Sequence, residues 1–189
     1  MKKLGLLLLL VCAVAGTALA QNVGDNSVYF TSYFSNANTS GAPDATVRVI
    51  NDGYQGGDLY AAYYVFDDSQ ELSECGACKI TADGINSESV NKNLTANPLT
   101  GRFLHVGVIK LVSTLYGDPT NLTPRPGLRP WATHIQAVAA KTWAVTETLF
   151  ADSDLASGEQ TMLQNLCYYA QILGSGTGTI SCTQEDRDF

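Results

Sequence analysis

The chain has 189 residues, of which 45% are apolar and 15% charged, with a formal net charge of −7. That apolar content is globular and argues against intrinsic disorder. The negative balance disfavours binding to a nucleic-acid backbone or to an anionic bilayer surface.

Residues 1–20 read as an export signal. Lys2 and Lys3 give a positive start, residues 4–15 an apolar run, and Ala18-Leu19-Ala20 a small-x-small cleavage site before Gln21. The run is too short to cross a bilayer as a helix, which needs ~20 residues. Cleavage removes two lysines and leaves 9 basic against 18 acidic side chains, a net charge of −9. About 169 residues remain, enough for one domain with a real core. The expectation is an exported protein, secreted or periplasmic and bacterial, with no membrane span in the mature chain.

Residues 28–34 are rich in strand formers. Residues 45–50 alternate, with Ala45, Val47 and Val49 on one face, and Asn51-Asp52-Gly53 follows as a turn signal. Residues 59–66 form the strongest predicted strand. Leu59, Ala61, Tyr63 and Val65 point one way and Tyr60, Ala62, Tyr64 and Phe66 the other, so it is expected to be central and covered on both faces. Residues 78–82 and 85 onward, separated by Asp83-Gly84, read as a hairpin. Residues 104–113 alternate with Leu104, Val106, Val108 and Lys110 on one face. Residues 116–130 carry four prolines and read as a long, extended surface loop. Residues 131–136 and 142–150 read as a second hairpin, with 137–141 open to a helical alternative.

Past residue 150 the period changes. Ser157-Gly158-Glu159-Gln160 matches a capping box. Met162, Leu163, Leu166, Tyr169, Ala170 and Leu173 then follow helical spacing, and Gly174 supplies a stop. Residues 174–178 read as a flexible connector and 185–189 as a charged tail. The predicted fold is mainly β, an immunoglobulin-like β-sandwich over residues 21–151. One C-terminal amphipathic helix, a disulfide-tethered segment and the tail occupy 152–189.

Four cysteines follow the leader: Cys75, Cys78, Cys167 and Cys182. An even count in an exported chain reads as two disulfides, and four cysteines permit three pairings. Local pairing, Cys75 with Cys78 and Cys167 with Cys182, is the preferred expectation, the second bridge contributing ~3 kcal/mol. Cys75-Gly76-Ala77-Cys78 also leaves open a redox or metal role. Against it, Asp67, Asp68, Glu71 and Glu74 lie upstream, where their charge would raise thiol pKa values. Lys79 in place of histidine excludes haem attachment. The acidic stretch lacks calcium-loop spacing, and its carboxylates are expected to be solvated. His105 and His134 sit in strand patterns with no nucleophile motif beside them.

The run 45–53 with its following aromatic strand resembles the strand–turn–strand of bacterial extracellular immunoglobulin-like domains. Residues 65–72, Cys75-Gly76-Ala77-Cys78 and the helix bearing Cys167 are similar to those of small exported bacterial proteins of unassigned function. The resemblance implies a fold and a compartment, and no activity.

No catalytic residue, metal or cofactor is expected. Tyr29, Tyr33 and Tyr54 are the candidate surface aromatics, and Arg125 and Arg129, on a stiff extended backbone, are candidate grips for an acidic partner. The expected function is non-enzymatic: surface binding or assembly with a protein or glycan partner at the cell surface. A thiol-redox or metal-binding role for the Cys75/Cys78 pair is the alternative.

Overall fold

The structure, a computed structural model, describes residues 26–95, 102–173 and 179–182. The leader, the 174–178 connector and the 185–189 tail lie outside the described residues. Among the described residues there are nine strands: β1 Tyr29–Ser35, β2 Thr46–Asn51, β3 Leu59–Asp67, β4 Leu72–Ile80, β5 Ile85–Ser89, β6 Val106–Thr114, β7 Leu128–Ala139, β8 Thr142–Leu149 and β9 Ala151–Ser153. They form two antiparallel sheets, ordered β4-β3-β6-β1-β9 and β5-β2-β7-β8. A C-terminal helix, α1, spans Ser157–Leu173. Among the described residues no helix is long and apolar enough to cross a membrane.

The alternation of β3 decides the layering. Leu59, Ala61, Tyr63 and Val65 enter the core shared by the two sheets, with Phe30, Phe34, Val47, Val49, Ile109 and Leu111. Ala62, Tyr64 and Phe66 face the other way, into a second core with Tyr29, Val112, Leu163 and Cys167. The strand is buried on both sides because α1 lies on the outer face of the five-stranded sheet. Burial of side chains this size is worth ~1.5–3 kcal/mol each.

Several local expectations change in this setting. Residues 78–85 are not a hairpin. β4 begins at Leu72 and belongs to one sheet, β5 to the other, and the Thr81–Gly84 turn (Gly84 N to Thr81 O, 2.9 Å) steps between them. The same turn chemistry serves an edge-to-edge pair and a corner, so the local sequence does not separate them. Residues 137–141 are strand and turn: β7 pairs with β8 out to Ala139–Thr142 across a bulge. Lys141 takes φ +58° in the tight turn. In β6 the inward residues are Ile109 and Leu111, while Val106 and Val108 are exposed. In α1 the buried residues are Leu163 and Cys167, and Met162, Tyr169 and Leu173 face outward. The capping box does not close on itself: the Gln160 amide donates to Leu122 O at 3.3 Å. Glu159 instead accepts from Tyr29 Oη (2.8 Å) and Lys110 Nζ (2.6 Å), fixing the first turn of α1 to β1 and β6.

The disulfides join Cys75 to Cys167 and Cys78 to Cys182, with Cα–Cα distances of 5.8 and 5.5 Å. Local pairing is therefore corrected. Residues three apart on a strand point to opposite faces, so Cys75 and Cys78 cannot reach each other along β4. Cys75 meets the helix on the outer face. Cys78 faces the inner core and meets Cys182. Thr179 pairs in parallel with Cys75, and Ile180 N donates to Cys75 O at 2.9 Å, so the C-terminal segment runs along the outer edge of β4. Gly76 makes the room: a Cβ there would sit 2.8 Å from Ile180 Cβ and 3.1 Å from its nitrogen. Two disulfides suit an oxidising compartment.

This connectivity yields a direct test. Cys167→Ala frees a thiol at Cys75, and Cys182→Ala frees one at Cys78, as located by alkylation and peptide mass spectrometry. Local pairing would free Cys182 and Cys167 instead. Each bridge closes a long loop, 92 and 104 residues apart in sequence, and each loss is expected to cost ~2–5 kcal/mol in denaturant melts.

Candidate functional site

Three of the five candidate surface residues converge at one end of the two-sheet body. Two loops build this end: residues 52–58, between β2 and β3, and residues 115–127, between β6 and β7. The first is fixed from below by Asn51, which is fully buried. Its amide donates to Gly57 O (2.9 Å) and Ile80 O (3.1 Å), and its side-chain oxygen accepts from Gly53 N (3.2 Å). Gly53 and Gly56 take φ +72° and +69°, conformations a side chain would disfavour. The second loop, exposed along much of its length, is nonetheless anchored to the body. Leu122 is buried against α1. Tyr64 Oη donates to Pro119 O at 2.6 Å, and Gln164 donates to Thr120 O at 3.0 Å.

The two loops are tied together. Asp52 N donates to Gly127 O at 2.9 Å. Asp52 Oδ2 pairs with Arg129 at 2.8 Å, and Asp52 Oδ1 accepts from Tyr54 N at 3.0 Å. Arg125 Nε donates to Gln55 Oε1 at 2.8 Å. Arg129 is thereby half-buried and neutralised. Arg125 is exposed, and its terminal nitrogens carry no hydrogen bond to described residues. Tyr54, next in sequence to Gln55, is 63% exposed, and Tyr116, on the second loop, is 58% exposed. Gln55 and Tyr116 escape a sequence reading because only the fold brings residues 55 and 125, some 70 apart, within hydrogen-bond reach.

The other two candidates lie elsewhere. Tyr29 is not a surface residue: it is 5% exposed beneath α1, and burial, then its bond to Glu159, pushes its phenol far above the ordinary value. Tyr33 is exposed and stacks on His134, with ring centroids 4.4 Å apart. His134 is buried and bonded to Thr148 Oγ1 at 2.8 Å, and burial holds its imidazole below the usual value. His105 Nδ1 lies 2.7 Å from Ala37 O. The two histidines thus occupy structural contacts.

The acidic stretch is divided by the fold. Asp67 is not solvated: its carboxylate accepts from Ser69 N (2.8 Å) and Glu71 N (2.9 Å) in the β3–β4 turn, and Arg102 lies against Asp67 and Asp68. Glu74 lies on β4 with its side chain 2% exposed. On the facing sheet Glu88 is fully buried, accepts from Asn86 Nδ2 at 2.9 Å and lies 3.6 Å from Cys78 Sγ. Tyr63 Oη donates to Asn86 Oδ1 at 3.0 Å. Burial, then the Glu88 charge, pushes the Tyr63 phenol well above its ordinary value. Cys78, Glu88 and Cys182 lie close enough for metal ligation, but both sulfurs are joined in the disulfide.

No protein-family model matches the chain, and no curated protein matches it. A solved structure titled as that of Thermotoga maritima 1070 is similar with a TM-score of 0.44 and 10% identity, over 68% of this chain and 94% of that one. A likeness of that degree carries no argument about activity.

Burial pushes the Glu74 carboxyl up to about 7 from an ordinary 4.5. The folded chain therefore holds this proton where the unfolded chain has lost it. Stability contributed here is present below about pH 4.5, falls as pH rises towards 7, and is level above that. The loss is on the order of 3 kcal/mol. Glu74→Gln is expected to leave thermal stability at pH 4.5 nearly unchanged and to raise it at pH 8, read by circular-dichroism melts across that range.

Proposed function

We propose that this protein is an exported, non-enzymatic binding module of immunoglobulin-like type that holds a carboxylate-bearing surface glycan or protein at the end formed by residues 52–58 and 115–127. One observation carries the reading. Exposed Arg125 is positioned by Gln55 through Nε, its two terminal nitrogens carry no hydrogen bond to described residues, and exposed Tyr54 precedes Gln55 on the same loop. A guanidinium fork matches a carboxylate in two parallel hydrogen bonds. A neighbouring tyrosine offers a flat apolar face with a polar rim, which suits a sugar ring or a peptide. Arg129 serves differently, holding the loops together through Asp52. Export is supported by the leader pattern and by the two disulfides. The alternative use of Cys75 and Cys78 as a dithiol or metal pair would first require reduction of two bridges to distant partners.

The test is binding to a panel of immobilised polyuronates, neutral polysaccharides and acidic peptides. Acidic ligands are expected to be retained and neutral ones not, with affinity falling as salt rises. Arg125→Ala and Tyr54→Ala are each expected to weaken retention ~10-fold or more while leaving the melting curve in place. Retention unchanged in both variants, or no retention of any acidic ligand by the wild type, would sink the proposal.

A further inference from the structure

The two lateral sides of the molecule are treated differently. On one side the outer edge of β4 is occupied: Thr179 pairs with Cys75, Ile180 N donates to Cys75 O, and two disulfides hold the covering segment in place. On the other side β8 ends its sheet, and among the described residues nothing pairs with its outer edge.

The backbone groups on that edge can be named. Phe150 N donates to Pro130 O at 3.0 Å, and Trp131 stands opposite Leu149 in the register. Residues of an antiparallel strand alternate between bonding one neighbour and bonding the other. Residues 144, 146 and 148 therefore bond β7. Trp143, Val145, Glu147 and Leu149 direct their N–H and C=O groups outward. The usual protections of an edge are lysines, prolines, bulges or brevity. β8 is eight residues long and holds no lysine and no proline. Its one charge, Glu147, is neutralised within the same sheet by Arg48 at 2.6 Å.

We infer that the β8 edge joins two copies of this chain, strand to antiparallel strand, about a two-fold axis at Val145, making one continuous sheet of eight strands. A row of unpaired backbone donors and acceptors is complementary to another extended strand. The β8 sequence is compatible with itself in this register. Val145 meets its copy in a hydrogen-bonded pair, flanked by Trp143 opposite Glu147 on both sides, with Thr142 opposite Thr148. The two Glu147 residues fall about 13 Å apart along the strands, beyond a Debye length at ~0.15 M salt, and each keeps its own Arg48. The inference is independent of the ligand-binding end, which lies on other loops.

Sedimentation velocity on the full mature chain, from ~1 μM to ~0.5 mM, a range that brackets micromolar to sub-millimolar Kd, reads the association. A dimer is expected to form with rising concentration. Hydrogen exchange of the Trp143, Val145 and Glu147 amides should slow in step, while residues 144 and 146 stay protected throughout. Val145→Pro removes an N–H that the single chain does not use, and is expected to weaken association ~10-fold or more without changing the circular-dichroism spectrum. Val145→Lys, which keeps the backbone N–H, is a second variant should the proline disturb folding, and it is expected to act the same way by charge repulsion. A chain that remains monomeric at the top concentration overturns the inference. So does a dimer that survives both variants, or one broken instead by Tyr169→Glu on the exposed face of α1.

Discussion

An odd spacing on one strand organises this molecule. Cys75 and Cys78 are three residues apart on β4, so strand pleating sends one sulfur outward and the other inward. Each then takes a different part of the C-terminal region: Cys75 the helix, Cys78 the segment that ends at Cys182. The result is a clamp around an edge strand, with α1 on its outer face and residues 179–182 along its rim. Gly76 lies at the middle of the clamp because Ile180 leaves no space for a Cβ. Both crosslinks close long loops, where the loss of unfolded-state freedom is greatest in the chain-entropy account.

The helix has a second attachment that is electrostatic. Burial alone would raise the Glu159 carboxyl, but hydrogen bonds from Lys110 and Tyr29, with the Lys110 charge, bring it below its ordinary value. The pair is only about one-quarter exposed, so solvent screens it less than a surface pair. Lys110 also lies 4.9 Å from the centre of the Phe66 ring. α1 is therefore fixed at its start by charge and at its middle by a covalent bond. Its far end exposes Tyr169, Ile172 and Leu173. The sheet beyond its cover exposes Val106 and Val108, so the helix shields only part of the face it lies on.

The interior is not uniformly apolar. Glu74 faces inward from β4 opposite Val65, and Glu88 faces inward from β5 beside Asn86 and the Cys78–Cys182 bridge. Buried carboxyls are costly unless protonated or hydrogen-bonded. For Glu88 the cost falls next to the crosslink that ties the C-terminal segment to β4. The opposite economy governs the loop end, where Asp52 meets Arg129 and Gln55 meets Arg125. Polar pairs there hold the loops together and leave Arg125 and Tyr54 exposed.

Much of the architecture was legible in the chain. The two-faced pattern of residues 59–66 specifies a strand buried on both sides, and the change to helical spacing after residue 156 specifies the C-terminal helix. Period-2 and period-3.6 patterns are local properties, set by where side chains point from the backbone. The mainly-β class, the helix and two disulfides follow from them and from the cysteine count. The pairing of the cysteines, the sheet to which each strand belongs, the burial of Tyr29 and the meeting of Gln55 with Arg125 do not. Each depends on contacts between residues some 70 to 130 positions apart. A turn such as Thr81–Gly84 has the same chemistry whether it joins neighbours in one sheet or steps between two. The sequence by itself determined which residues are strand, which are helix and which faces are apolar, because these are read within a few residues. Only the tertiary structure decided which face meets which, because that choice is made by the packing of the whole core.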